Sequence, residues 1–207
     1  MTNADSVERP ALLVASGAAE LDMSSGRAAL GSSERLRRLF DGHYGSVWRL
    51  LGRLGVPQGS LDDSAQEVFW VAARRLSDIR PGSEQAFLYG VALRVVAYMQ
   101  RQRRALPPLL QLDEEHEPLD PAPSPEQALE QRRARAVLDS VLDRLPHELR
   151  VVFVLFELEG LSVKDIADLE GVPIGTASSR LRRAREEFSA IAHRVRLALA
   201  RQGGDPR

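Results

Sequence analysis

The 207-residue chain has no cysteine. That excludes a disulfide framework and any thiolate metal site. It has four histidines, at positions 43, 116, 147 and 193, and no two are spaced as a ligand pair on one helix face. No combination of nucleophile, base and orienting group stands out as an enzyme site. No metal, no cofactor and no catalysis are therefore expected. No apolar run approaches the ~20 residues that cross a bilayer. The apolar stretch 11–15 is too short for a secretory signal. A soluble protein of the cytoplasm, without membrane insertion, is expected. Lysine is nearly missing: of the 28 basic residues only Lys164 is not arginine.

Net charge is −1, which by itself argues against a partner as acidic as nucleic acid. The distribution reverses this. Residues 1–33 carry −2, residues 34–104 carry +5, residues 105–131 carry −7 and residues 132–201 carry +3. Two basic blocks flank an acidic one, and local charge sets the field that a polyanion meets.

Residues 1–33 mix Ala, Ser, Gly and acids without sustained periodicity, so a disordered extension is expected. From Glu34, apolar residues recur at helical spacing: Leu36, Leu39, Phe40, Tyr44, Val47, Leu50, Leu51 and Leu54. Gly55, Pro57 and Gly59 interrupt. A second helix starts at Asp62 and Asp63, acids suited to a helix N-terminus. Its apolar stripe is Ala65, Val68, Phe69, Ala72 and Leu76. A third helix is expected over 83–104, with Phe87, Leu88, Val91, Val95, Tyr98 and Met99 as its apolar set. Residues 105–124 are proline-rich, acidic and without a basic residue, and read as a flexible extended linker. Helical pattern returns at Pro125 and continues through a densely apolar helix from His147 to Glu159. No convincing strand run appears. The fold class expected is all-α: two small helical domains, 34–104 and 125–201, joined by the linker 105–124.

The stretch Leu161 to Phe188 carries most information. Ser162 is a good N-cap, with Asp165 three residues on. Ile166, Ala167 and Leu169 follow, then Gly171 as a helix stop. Pro173 and Gly175 mark the turn, and Thr176 is a candidate cap for the next helix. On that helix Ala177, Leu181, Ala184 and Phe188 fall within about 60° of one another, so they form one buried stripe. Ser178, Ser179, Arg182 and Arg183 then point away, with Arg180 and Arg185 at the flanks. This is the pattern of a helix-turn-helix whose second helix enters a DNA groove.

With both blocks in view, the chain resembles the extracytoplasmic-function (ECF) sigma factors of the sigma-70 family, which carry a region-2 and a region-4 domain. DDSAQEVFWVA at 62–72 resembles the acidic helix of region 2. AFLYGVALRVVAYMQRQRR at 86–104 resembles the basic-ended helix after it. LDRLPHELRVVFVLFELEGLSVKDIADLEGVPIGTASSRLRRAREE at 142–187 resembles region 4, with its L-P-x-x-x-R opening and its G-T-x-x-S-R-L-x-R-A-R helix.

The resemblance implies a factor that binds core RNA polymerase and directs it to promoter DNA. Asp63, Gln66 and Glu67 would face the polymerase. The helix of 83–104 would engage the −10 element, with Arg94, Arg101, Arg103 and Arg104 on the DNA side; an unstacked base is read by pockets and stacking. Ser178, Ser179, Arg182 and Arg183 would address base edges of the −35 element, and Thr176, Arg180 and Arg185 its phosphates. An anti-sigma factor is a further candidate partner. The acidic linker would either thread the basic RNA path of the polymerase or act as a plain spacer.

The chain departs from the family pattern at Phe87, at Leu93-Arg94, near Tyr98, at Ala177 and at Ser178. Serine bonds several bases, so readout at 178 is weakly discriminating. Two alternatives stay open at this point. One is a stand-alone helix-turn-helix regulator that binds a palindrome without polymerase. The other is a sigma-like adaptor without promoter activity.

Overall fold

The computed structural model describes residues 15–105 and 125–202, with side chains described over 31–102 and 134–198. The linker expected at 105–124 lies, beyond Ala105, outside the described residues. Seven α-helices and no strand occur among the described residues. They are α1 (Ala15–Arg53), α2 (Leu61–Arg74), α3 (Glu84–Ala105), α4 (Pro125–Leu142), α5 (His147–Phe153), α6 (Val163–Glu170) and α7 (Ile174–Gln202).

Helix α1 starts at Ala15, so the part of the extension after residue 14 is helical where disorder was expected. Residues 15–53 contain no proline, and Ala15, Ala18, Ala19, Ala28 and Ala29 are strong helix formers. Low apolar content removes a packing face; it does not by itself remove a helix. Residues up to Gly42 form a unit of their own, and His43–Arg207 form a second compact unit. In the first, Arg37 pairs with Asp41 at 3.7 Å, one helical turn on.

In the second unit Val47, Leu50 and Leu51 of α1 and Leu54, in the turn just after it, are buried. Gly55 ends the helix at φ +89°. Helix α2 buries Ala65, Val68, Phe69 and Ala72, as spacing predicts, whereas Leu76, expected to extend that stripe, lies past the end of α2 in a short 3-10 turn and is only partly buried. Tyr44 Oη and Trp48 Nε1, both on α1, donate to Asp62 Oδ1 at 3.1 and 2.9 Å, which fixes the N-terminus of α2. Helix α3 packs on both α2 and α6. Its buried residues are Leu88, Tyr89, Val91, Ala92 and Val96, whereas Tyr98 is 57% exposed. Tyr98 therefore leaves the expected core set, and its hydroxyl accepts from Gln102 Nε2 at 2.9 Å.

Helix α5 widens into a π-helical turn, Val154–Leu158. Every residue from Leu149 to Leu155 is buried. A helix apolar on all sides must be covered on all sides. Helix α7 covers one side, and α6 packs against both α7 and the π turn. Replacing Ile166, fully buried on α6, by Ala should cost about 2–5 kcal/mol in chemical denaturation. A loss under about 1 kcal/mol would show that α6 is not seated on this core.

Candidate nucleic-acid interface

Helices α6 and α7 form the expected helix-turn-helix. The Ser162 hydroxyl accepts from Asp165 N at 3.2 Å and donates to Asp165 Oδ2 at 2.6 Å, closing the N-terminus of α6. Gly171 caps the other end in the left-handed conformation, φ 66° and ψ 35°, a position that disfavours any side chain. Helix α7 begins at Ile174, so Thr176 sits inside its first turn and is not its cap. The Pro173 carbonyl accepts from Thr176 N and Ala177 N at 2.9 and 3.1 Å. Proline already sets its own φ, so the turn supplies the helix start without a side-chain acceptor.

The stripe on α7 is as spaced. Ala177, Leu181 and Ala184 are buried, and the Phe188 ring stacks on Phe153 at 4.4 Å. Ile191 and Val195 continue the stripe beyond. With this face fixed, Ser178, Ser179, Arg182 and Arg183 are exposed together. The small alanines let α7 sit close to its support, which holds the opposite face at a defined angle.

The arginines differ in how free they are. Arg180 is half-buried and bridges Glu148 at 3.0 Å and Glu170 at 3.3 Å. Burial pushes the Glu170 carboxyl above its usual range, and the Arg180 charge beside it partly offsets this. Arg180 thus joins α5, α6 and α7 before it meets any ligand. Arg185 Nε donates to Glu157 at 2.6 Å, and its guanidinium lies 5.0 Å from the Phe156 ring centre. Arg182 pairs with Glu186 at 2.7 Å across one exposed turn. Exposed pairs of this kind hold by about 1 kcal/mol or less, so a phosphate can take either arginine over. Arg183 has no ionic or hydrogen-bond partner among the described residues.

On the other basic block, Arg94 and Arg101 are exposed on α3. Arg103 and Arg104 lie on the last turns of α3, and their side chains are outside the described residues. The structure brings Arg101 to the same cleft as Thr176, Ser179, Arg180 and Arg183, with His147 in its wall. On α2, Asp63, Gln66 and Glu67 share one exposed face. Trp70 extends it, 55% exposed, with the Arg74 guanidinium 4.6 Å from its ring centre. Sequence reasoning passed over Trp70 as a site residue, although its spacing from Gln66 and Glu67 places it on their face. Among the described residues no group of acids and histidines is placed to hold a metal ion. No helix there is long and apolar enough to cross a membrane.

The family description "Sigma-70, region 4" matches residues 128–188. The ECF RNA polymerase sigma factor SigE of Mycolicibacterium smegmatis is 34% identical over 83% of this chain, and the match spans 66% of that protein, just short of two thirds of its length. The ECF RNA polymerase sigma-E factor of Escherichia coli K12 is 33% identical over 70% of this chain and 79% of its own. The chain belongs to the ECF sigma factor family. Among solved structures, CnrH in complex with the cytosolic domain of CnrY matches with a TM-score of 0.57 and 25% identity, over 80% of this chain and 92% of that one. The sigma factor RpoE of Bartonella quintana, solved with the anti-sigma factor NepR, shares the fold at a TM-score of 0.57 and 18% identity, over 75% and 94% of the two chains.

A last polar group ties this ECF sigma factor together. Glu159, at the end of the π turn with its side chain 9% exposed, accepts from Arg53 Nη1 at 2.8 Å. The buried hydroxyl of Tyr89 donates to the other carboxylate oxygen. Burial first, then this bond to a carboxylate, pushes the Tyr89 phenol up to about 12. A folded-state value above the ordinary 10.0 means that the stabilisation is complete below pH 10 and is lost as pH rises through about 12. Burial and its bond to Asp62 raise Tyr44 as well, so of the three tyrosines Tyr89 should be the last to ionise in an absorbance titration, and Tyr89→Phe should remove the component near 12. A wild-type titration with no late tyrosine would contradict the buried bond.

Proposed function

We propose that this ECF sigma factor directs core RNA polymerase to promoters by a two-point grip, with the block 34–104 on the −10 element and the block 125–201 on the −35 element. The linker 105–124 joins the two. The observation that carries this reading is the exposed face of Ser178, Ser179, Arg182 and Arg183 on α7, within the segment matched to sigma-70 region 4. A helix laid in the major groove with that face forward sets Arg183, which has no partner among the described residues, against base edges. Arg182 and Arg185 move from their exposed acids to flanking phosphates. Arg180 stays bound to Glu148 and Glu170 and orients the helix.

On the −10 side, Arg94, Arg101, Arg103 and Arg104 face the DNA along α3 and at its end. The polymerase contact is the α2 face of Asp63, Gln66 and Glu67. The factor carries no catalytic machinery of its own and acts in the cytoplasm, where its polymerase and promoters are. An anti-sigma factor is the further partner, as in the solved complex of the Bartonella quintana relative.

Two variants separate the two contacts. Arg183→Ala should weaken binding of the polymerase–sigma complex to a promoter carrying its −35 element by about tenfold, with affinity for core polymerase unchanged. The triple exchange of Asp63, Gln66 and Glu67 to Ala should do the reverse. If Arg183→Ala instead abolishes core binding, the α7 face faces the polymerase and the reading is wrong.

A further inference from the structure

Helix α7 does not end where the match to region 4 ends. That match stops at residue 188, and the helix runs on unbroken to Gln202. One pattern occurs twice along it. Arg182, Arg183, Ala184 and Arg185 are followed, eleven residues later, by His193, Arg194, Val195 and Arg196. At ~100° per residue, eleven residues make three full turns and about 20° more. Each member of the second set therefore projects in nearly the direction of its counterpart, about 16 Å further along the axis. Burial follows the same register. Ala184 and Val195 are both buried, while His193, Arg194 and Arg196 are exposed, as are Arg182, Arg183 and Arg185.

The second set is held in place. Ile191 and Val195 continue the buried stripe, and α4 packs against α7. Its charges are freer than those of the first set. Arg182 and Arg185 are paired with Glu186 and Glu157. From Phe188 to Gln202 there is no acidic residue. Neither Arg194 nor Arg196 has an ionic or hydrogen-bond partner among the described residues. Charges that serve only to hydrate a helix need neither the buried anchor nor the shared register.

Distance selects the ligand. With Arg183 over the floor of a major groove about 12 Å wide, the phosphate walls stand ~6 Å to either side. A side chain that projects the same way about 16 Å further on has passed the wall, so the base edges read by Arg183 are out of its reach. The phosphodiester chain is what it meets. Ala190, exposed and nearly in line between Arg183 and Arg194, leaves room for that chain to approach. We propose that Arg194 and Arg196, with His193 beside them, form a second phosphate contact of α7, which grips the duplex flanking the −35 element without reading its sequence. The inference rests on the two-point grip for the placement of α7 on DNA. Each arginine displaces a counterion, so the contact adds affinity and salt dependence but no base preference.

The test is binding of the full-length chain, in complex with core polymerase, to promoter duplexes over a range of salt. Joint replacement Arg194→Ala and Arg196→Ala should lower affinity about tenfold at ~0.15 M salt and should reduce the slope of log affinity against log salt by about 2. Alanine is a strong helix former and both positions are exposed, so the helix is retained. The ratio of affinities for a duplex with the −35 element and one with that element scrambled should stay as in the wild type, whereas Arg183→Ala should lower it. Joint replacement by lysine should keep the slope, because phosphate neutralisation needs the charge and not the guanidinium fork. An unchanged slope in the double alanine variant, or a lost preference for the −35 element in it, overturns the second contact. A wild type without preference for the −35 element, in which the double variant still loses slope, overturns the promoter reading and keeps the phosphate contact.

Discussion

The segment from Leu149 to Leu155 is buried on every side, and much of the molecule follows from the need to cover it. It is short, rich in valine and carries a buried arginine near its start. No single helix can shield it. Helix α7 lies along one side with its alanines, and α6 closes against α7 and the π turn. Arg150, 8% exposed, is reached by Asp143 at 3.1 Å, while its Nε finds no partner. Burial lowers its pKa, and Asp143 works against that shift. The leucine-proline-to-arginine motif that opens region 4 thus encodes a turn, a helix start and a buried charge that points back toward Gly55.

The π turn gives this core its second use. It ends the buried helix with two glutamates two residues apart, which a helical arrangement sends in different directions. Glu157 faces α7 and orients Arg185. Glu159 faces the other way, to Arg53 and Tyr89. One turn of backbone therefore orients Arg185 on α7 and also makes the contact with α3. The arginines of α7 form a graded set. Arg180 is held between Glu170, largely buried, and the exposed Glu148, Arg182 and Arg185 are loosely paired, and Arg183 has no partner among the described residues.

The sequence disclosed what is local. The Ser162 cap, the Gly171 stop and the stripe of Ala177, Leu181 and Ala184 all depend on neighbours within four residues, and they stand where spacing put them. So does the exposed face of Asp63, Gln66 and Glu67. What the sequence hid is non-local. Tyr98 looked like core and Tyr89 did not stand out, because the burial of Tyr89 depends on a carboxylate 70 residues away. The pairing of Arg180 with acids on two other helices was equally invisible. Thr176 was misread as a cap because Pro173 starts α7 earlier without needing one. The helical part of the N-terminal extension was missed because periodicity reports a packed face, and a helix can form without one.

The central claim is that this chain confers promoter selection on core RNA polymerase. Run-off transcription with purified core polymerase and a library of genomic promoter fragments measures it most directly. Added sigma factor is predicted to yield a small set of discrete transcripts that core polymerase alone does not make. The absence of any such transcript, together with failure to co-elute with core polymerase, would contradict the account.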